Sequence, residues 1–63
     1  MSALDIAANS GRMEAVHLLV KIGVTSARPG ETGYDYAIQL AEDGDHWSVA
    51  EVIRRYARDK RTQ

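Results

Sequence analysis

Small and apolar residues recur three and four positions apart along most of this chain, and that spacing constrains its fold more than any other feature. The clearest series are Leu4, Ala7, Ala8 and Gly11; Tyr34, Ala37, Ile38 and Ala41; and Val49, Val52, Ile53 and Tyr56. Residues 13–22 are apolar more broadly. Because an α-helix turns once every 3.6 residues or so, this spacing places apolar side chains along one helix face. The sequence therefore predicts an all-α fold with four helices.

Capping residues and glycines mark where the predicted helices begin and end. Ser2 and Thr32 each precede a helix and have an aspartate three residues later. That spacing favours a capping box, in which the hydroxyl and the carboxylate each bond a backbone N–H group of the first turn. Gly11 breaks the chain between the first two helices, and Gly23 is predicted to close the second in a left-handed conformation. Asp45 is the predicted N-cap of the last helix.

The two halves of the chain follow one plan, a short helix, a tight turn and a longer helix. Leu4 aligns with Tyr34 at the start of each half, and Leu18 aligns with Val52 further along. These two alignments differ in register, so the second copy should contain about four extra residues, near residues 40–43. Self-similarity with a period of about 33 residues indicates a repeat protein. The predicted organisation is a single domain, residues 1–63, with repeat 1 at about 2–23, a loop at 24–31, repeat 2 at about 32–57 and a basic tail at 58–63.

The repeated pattern resembles the ankyrin repeat. That family's repeat reads roughly G-x-T-P-L-H-x-A-A-x-x-G-H-x-E-x-V-x-x-L-L-x-x-G, and residues 2–23 read SALDIAANSGRMEAVHLLVKIG. The second copy begins GETGYDYA at Gly30 and ends VAEVI at Ile53, with Asp45-His46 in place of the family's G-H pair. The resemblance covers residues 2–56 and implies two stacked helix-turn-helix units in a short solenoid. The second unit resembles a C-terminal cap, because its first helix ends in charged residues.

Membership of that family would imply a non-enzymatic protein–protein interaction module whose partner is another protein or further ankyrin repeats. Partners of ankyrin-like proteins meet the loop tips and the concave side of the short helices. Residues at the matching positions are Asn9, Ser10, Arg28, Pro29, Glu31, Gln39 and Leu40. Leu40 is expected to be an exposed contact. Tyr36, which lies off the predicted core line, is either an exposed anchor or a packed side chain, and it completes the predicted partner-binding set.

Two units are fewer than the three or so that a repeat protein normally needs for stability. The chain is therefore expected to belong to a longer array, to self-associate as a homo-oligomeric scaffold, or to have a partner on its open face. Ile6, Met13 and Val20 are predicted to contribute to that face. Leu18 is expected to fill the space between the helix pairs, together with Leu19, Val52 and Ile53. Trp47 aligns with Met13 and is predicted to pack rather than to bind.

Catalytic and metal chemistry find no support in the residue types. The chain has no cysteine and only two histidines, so it offers neither a thiolate nor a convincing metal cluster. The acidic residues Glu42, Asp43 and Asp45 lack the spacing of a calcium loop. No glycine-rich phosphate motif is present. We therefore expect no enzyme activity, no cofactor and no bound metal.

Charge and hydropathy leave one further alternative. Five basic residues near the C-terminus oppose a single aspartate, while the whole chain has a formal net charge of −1; they are Arg54, Arg55, Arg58, Lys60 and Arg61. Basic side chains stabilise the C-terminal end of a helix by interacting with its dipole, and this is the favoured interpretation. Nucleic-acid binding is the less favoured one, because the acidic remainder of the chain repels phosphate.

No apolar run approaches the ~20 residues of a membrane span. With no signal-peptide pattern and no cysteine, the expected location is the cytoplasm or nucleus.

Overall fold

Four α-helices account for most of the part of the chain that the structure describes. The structure is a computed structural model, and it describes residues 1–28, 30 and 33–62, with side chains as far as residue 59. The helices are α1 (Ala3–Ser10), α2 (Met13–Lys21), α3 (Asp35–Asp43) and α4 (Trp47–Thr62), and no strand occurs among the described residues. The predicted all-α class is confirmed.

Each short helix packs against its own longer helix and against the other short helix. Helix α1 contacts α2 and α3, and α4 contacts α3 and α2. The core between them consists of Leu4, Ala7, Ala8, Val16, Val20, Tyr34, Ala37, Ala41, Val49, Ala50, Ile53 and Ala57. The buried residues of α1 and α3 are mostly alanines, and their small side chains allow the two short helices to approach closely.

The first helix begins with the predicted capping box. The Asp5 N–H donates to the Ser2 hydroxyl over 3.2 Å, and the Ser2 N–H donates to Oδ2 of Asp5 over 3.0 Å. Helix α3 is capped differently. Thr32 lies outside the described residues, and the Ala37 N–H in the first turn of α3 donates to the Ser26 hydroxyl over 2.9 Å. The loop between the two helix pairs thus contributes a cap from eleven residues away.

The same tight turn follows both short helices. Gly11 (φ 72°) and Asp45 (φ 61°), which lie in the turn after the first helix of their respective units, both adopt the left-handed conformation. In each turn this residue donates to the carbonyl three residues earlier, and the next residue donates to the carbonyl five residues earlier. Asp45 therefore belongs to the turn after α3, and the prediction that it caps α4 is wrong. The structural reason is that His46 stands between Asp45 and the first residue of α4.

The two short helices differ less in length than the sequence suggests. Gly11 is the eighth residue after Ala3, where α1 begins, and Asp45 is the tenth residue after Asp35, where α3 begins. The second unit therefore has two extra residues between helix start and turn, rather than about four. In addition, α4 continues to Thr62, so residues 58–62 of the predicted basic tail lie within this helix.

Candidate interaction surfaces

Asp5 joins the loop between the two helix pairs to the first helix. Its side chain is fully buried, and Oδ2 accepts the Ala27 N–H over 2.9 Å in addition to the Ser2 N–H. Burial raises the pKa of the Asp5 carboxyl, but hydrogen bonds from Ala27, Ser2 and Ser26 outweigh it, and the pKa lies below its ordinary value of 3.8. A carboxylate that accepts several N–H groups is stabilised in its charged form. Asp5 therefore holds the loop in place while it is ionised.

This carboxylate predicts a pH dependence of stability. A depressed pKa contributes stability that is fully present above the unfolded-state value near 3.8 and is lost as pH falls through the lower folded value. We expect the free energy of unfolding to fall below about pH 4 more steeply for the wild-type chain than for Asp5→Asn. Urea titrations followed by circular dichroism between pH 2.5 and pH 6, roughly the window in which a carboxyl titrates, measure this. Parallel curves for the two proteins would contradict it.

Arg28 and Tyr36 form a pair beside that anchored loop. The Arg28 guanidinium carbon lies 4.6 Å from the centroid of the Tyr36 ring, a cation–π geometry. Arg28 is exposed and Tyr36 is half-buried. Tyr36 thus lies between the two predicted alternatives, since its side chain is half-buried and Arg28 covers its ring. One turn further along α3, exposed Gln39 donates from Nε2 to Oδ1 of Asp43 over 2.9 Å.

The remaining predicted contact residues are spread along the short helices. Asn9 and Ser10 are exposed at the C-terminal end of α1. The loop contacts this helix at Asp5, about 6–7.5 Å away along the helix axis at 1.5 Å per residue. Leu40 is half-buried, so the expectation of an exposed contact there is wrong; the fold itself covers much of its side chain. Pro29 and Glu31 lie outside the described residues.

A histidine connects the two turns at that far end. A Cβ built on Gly11 would overlap the His46 ring, and one built on Gly44 would lie 2.7 Å from Cδ2 of the same ring. The backbone oxygen of Asn9 also lies 3.0 Å from that second position. The His46 ring is therefore seated against the glycines of both turns, which holds the ends of α1 and α3 together.

Trp47 is exposed beside this histidine, contrary to the prediction that it packs. Its exposed fraction is 60%, while the aligned Met13 is half-buried. The indole borders an open depression of about 330 Å³ whose walls include Met13, His46 and the turn at Gly11. Helix periodicity marks Trp47 as an apolar position, but it lies on the side of α4 that no described helix covers.

Ion pairs cover the outer side of the second helix pair. Arg54 forms a salt bridge with Glu42 across α3 and α4, and its Nη1 lies 4.0 Å from Glu51. Arg55 Nε lies 3.5 Å from the other carboxylate oxygen of Glu51. These pairs are partly exposed, so each contributes little to stability. Their effect is to make this side of the molecule polar.

The first helix pair instead exposes large apolar side chains. Ile6 is 53% exposed, Leu18 59% and Ile22 66%. Leu18 was expected to fill the space between helix pairs, and that prediction is wrong; Leu19, Val52 and Ile53 do contact the core. Of the residues predicted for an open face, Ile6 is exposed and Met13 half-buried, but Val20 is buried in the core and is not part of it.

The described residues offer neither a metal-binding cluster nor a membrane-spanning helix. They contain no group of three or more histidine, aspartate or glutamate side chains that could hold a metal ion. Within the same residues, no helix has the length and apolarity that a membrane span requires. Comparisons with protein-family models, curated proteins and solved structures found no match for the chain.

Proposed function

We propose that the chain is a non-enzymatic protein–protein interaction module of ankyrin-repeat type, in which two helix-turn-helix units stack side by side. The observation that carries this proposal is the repeated turn. Gly11 and Asp45 have the same conformation and the same two backbone hydrogen bonds at equivalent points of the two units. The contacts of α1 with α3 and of α2 with α4 are those expected when one unit lies beside the next.

The second unit has the properties of a terminal cap. When the units are aligned on their turns, Gly11 with Asp45, buried Ala8 corresponds to Glu42, and buried Val20 corresponds to Arg54. Glu42 and Arg54 form a salt bridge with each other. Terminal repeats carry a polar outer side because no further repeat covers them. The outer side of α3 and α4 therefore ends the stack.

The proposed partner surface runs along the short helices from the loop to the turns. Arg28 and Tyr36 form its centre, with Gln39 beside them and Asn9 and Ser10 at the far end. Arginine and tyrosine are enriched among residues that dominate binding energy. Asp5 and Ser26 hold the loop through hydrogen bonds, so the Arg28–Tyr36 pair is positioned before a partner arrives. Preorganisation of this kind lowers the entropy cost of binding.

A triple substitution tests this surface. We expect Arg28→Ala, Tyr36→Ala and Gln39→Ala together to lower the capture of specific partner proteins from cell extract at least tenfold, about 1.4 kcal/mol. Quantitative mass spectrometry of proteins retained on the immobilised chains measures it. The half-buried Leu40 is left unchanged so that the fold is preserved.

The matched control replaces exposed residues on α2 by alanine, Glu14 and Lys21. It should retain the same proteins as the wild-type chain, and circular dichroism should show equal helicity for all three. Equal capture by the triple variant would show that the partner surface lies elsewhere.

Ion pairs on α4 make nucleic-acid binding a less favoured function than protein binding. Arg54 and Arg55, two of the five basic residues behind that alternative, are paired with Glu42 and Glu51. A phosphate would have to compete with those carboxylates, and the carboxylates themselves would repel it.

A further inference from the structure

We infer that the exposed apolar side of the first helix pair is a docking surface for one more helix-turn-helix repeat, from outside residues 1–63. This inference rests on the proposed function, because it uses the correspondence between the two units. The surface, termed the free face, consists of the exposed side chains Ile6, Leu18 and Ile22 together with Ala15 and Leu19, which are half-buried and also contact the core.

The free face lies on the side of the first pair that is turned away from the second. His17 on α2 contacts the Tyr56 ring of α4, with the ring centroids 6.3 Å apart, so His17 marks the side of α2 that faces α4. At 100° per residue, Ala15, Leu19 and Ile22 project to the opposite side of the helix. Leu18 and Ile22 are mostly exposed there.

The second pair uses the same positions to pack on the first. In the alignment of Gly11 with Asp45, the five members of the free face correspond to Leu40, Val49, Val52, Ile53 and Tyr56. Val49 and Ile53 are buried, and the other three are half-buried. Tyr56, the counterpart of Ile22, makes the contact with His17. The free face therefore has the composition and arrangement of a surface by which one unit packs on another.

The side of the first pair that faces the second pair, termed the receiving side, shows what such a surface packs against. In the first unit the buried residues of that side are small, Ala8 and Val20, with Val24 packed beside them. Large side chains on one unit thus fill the space above small side chains on the other, which is how packed layers interdigitate. A partner for the free face should therefore present alanine and valine at the corresponding positions of a helical hairpin.

A second copy of this chain does not offer that surface. Its own receiving side carries Glu42, Arg54 and Arg58 at the positions of Ala8, Val20 and Val24. Burying the Glu42–Arg54 pair against Leu18 and Ile22 would remove both charges from water with no new partner, which is unfavourable. Pairing two free faces would place large side chains against large ones, without the complementary small residues. The favoured occupant is consequently a helix-turn-helix repeat from outside residues 1–63, with small apolar side chains where this chain has Glu42, Arg54 and Arg58.

A variant of the full chain can serve as the probe. It carries Glu42→Ala, Glu51→His, Arg54→Val and Arg58→Val, which copy the receiving side of the first unit onto the second, and Leu18→Glu, which blocks its own free face. We expect it to form a one-to-one complex with the wild-type chain in sedimentation equilibrium. The control probe carries only Leu18→Glu, and it should bind the wild-type chain at least tenfold more weakly.

Three outcomes would overturn the inference. One is a folded probe that does not bind the wild-type chain, and another is equal binding by the control. The third is a wild-type dimer that Leu18→Glu dissociates, which would assign the free face to a second copy. Partner capture through Arg28 and Tyr36 is measured on a different surface, so its failure and the failure of this docking are distinguishable.

A covalent version keeps the test decisive if the probe does not fold. Residues 1–34 are placed ahead of residue 1 of the wild-type chain, so that the added unit presents Ala8, Val20 and Val24 to the free face. We expect a higher midpoint of thermal unfolding than for the wild-type chain. Leu18→Glu in the original unit should remove the gain. An extended chain no more stable than the wild type would contradict the docking surface.

Discussion

Replacing Asp5 by alanine is expected to lower the free energy of unfolding by about 2–4 kcal/mol, since a lost cap costs about 1 and an unpaired, partly buried N–H about 1–3. The carboxylate accepts from the Ser2 and Ala27 backbone N–H groups through one oxygen, and alanine provides no acceptor for either. A chain of 63 residues has a total stability of only about 3–9 kcal/mol. The variant should therefore be close to unfolding.

Urea unfolding followed by circular dichroism measures this loss, with an osmolyte added where the baseline requires it. Asp5→Asn is the closest comparison, because it keeps the shape and one acceptor oxygen, and it should lose less stability than Asp5→Ala. Glu14→Ala, an exposed acid in the first turn of α2, should change stability by less than about 0.5 kcal/mol. If Asp5→Ala costs no more than Glu14→Ala, the carboxylate does not hold the loop.

The same residue links stability to the proposed partner surface. Ala27, which Asp5 binds, is the neighbour of Arg28 in sequence. Loss of that hydrogen bond should let Arg28 move away from Tyr36, so Asp5→Ala is expected to weaken partner binding even where the chain stays folded.

Local sequence patterns predicted the helices and most of their ends correctly. Ser2 and Asp5 form a capping box because both partners lie within one turn, a distance that spacing alone determines. Gly11 and Gly23 adopt positive φ for an equally local reason. The cap that Ser26 gives α3 could not be predicted in this way, because it depends on how an eleven-residue segment folds back.

The sides that helices present to each other were predicted less well. Periodicity identifies an apolar stripe but does not show how many neighbours cover it. Leu18 and Trp47 both occupy apolar positions and are mostly exposed, since no described helix lies beside them. Asp45 was assigned to the wrong helix because aspartate suits an N-cap as well as a left-handed turn. In each case the deciding information was tertiary.

Replacing Gly11 by alanine is expected to cost about 2–5 kcal/mol, in two separable parts. The first is the left-handed conformation at φ 72°, which costs a residue with a Cβ about 1–2 kcal/mol. The second is the overlap of the new Cβ with the His46 ring, and overpacking of this kind costs about 1–3 kcal/mol. The ring is also bounded by the turn at Gly44, so it has little room to withdraw.

Gly23→Ala is the matched control, because Gly23 also has positive φ, 93°, but no atom lies within 4 Å of its added Cβ. It should therefore cost only the conformational part. The decisive measurement is a double-mutant cycle by urea unfolding, in which Gly11→Ala is introduced into the wild-type and the His46→Ala chains. Without the ring, the cost of Gly11→Ala should fall to that of Gly23→Ala, a coupling of about 1–3 kcal/mol. Equal costs in the two backgrounds would show that His46 does not hold the two turns together, and the stacked arrangement of the two units would then depend on the apolar core alone.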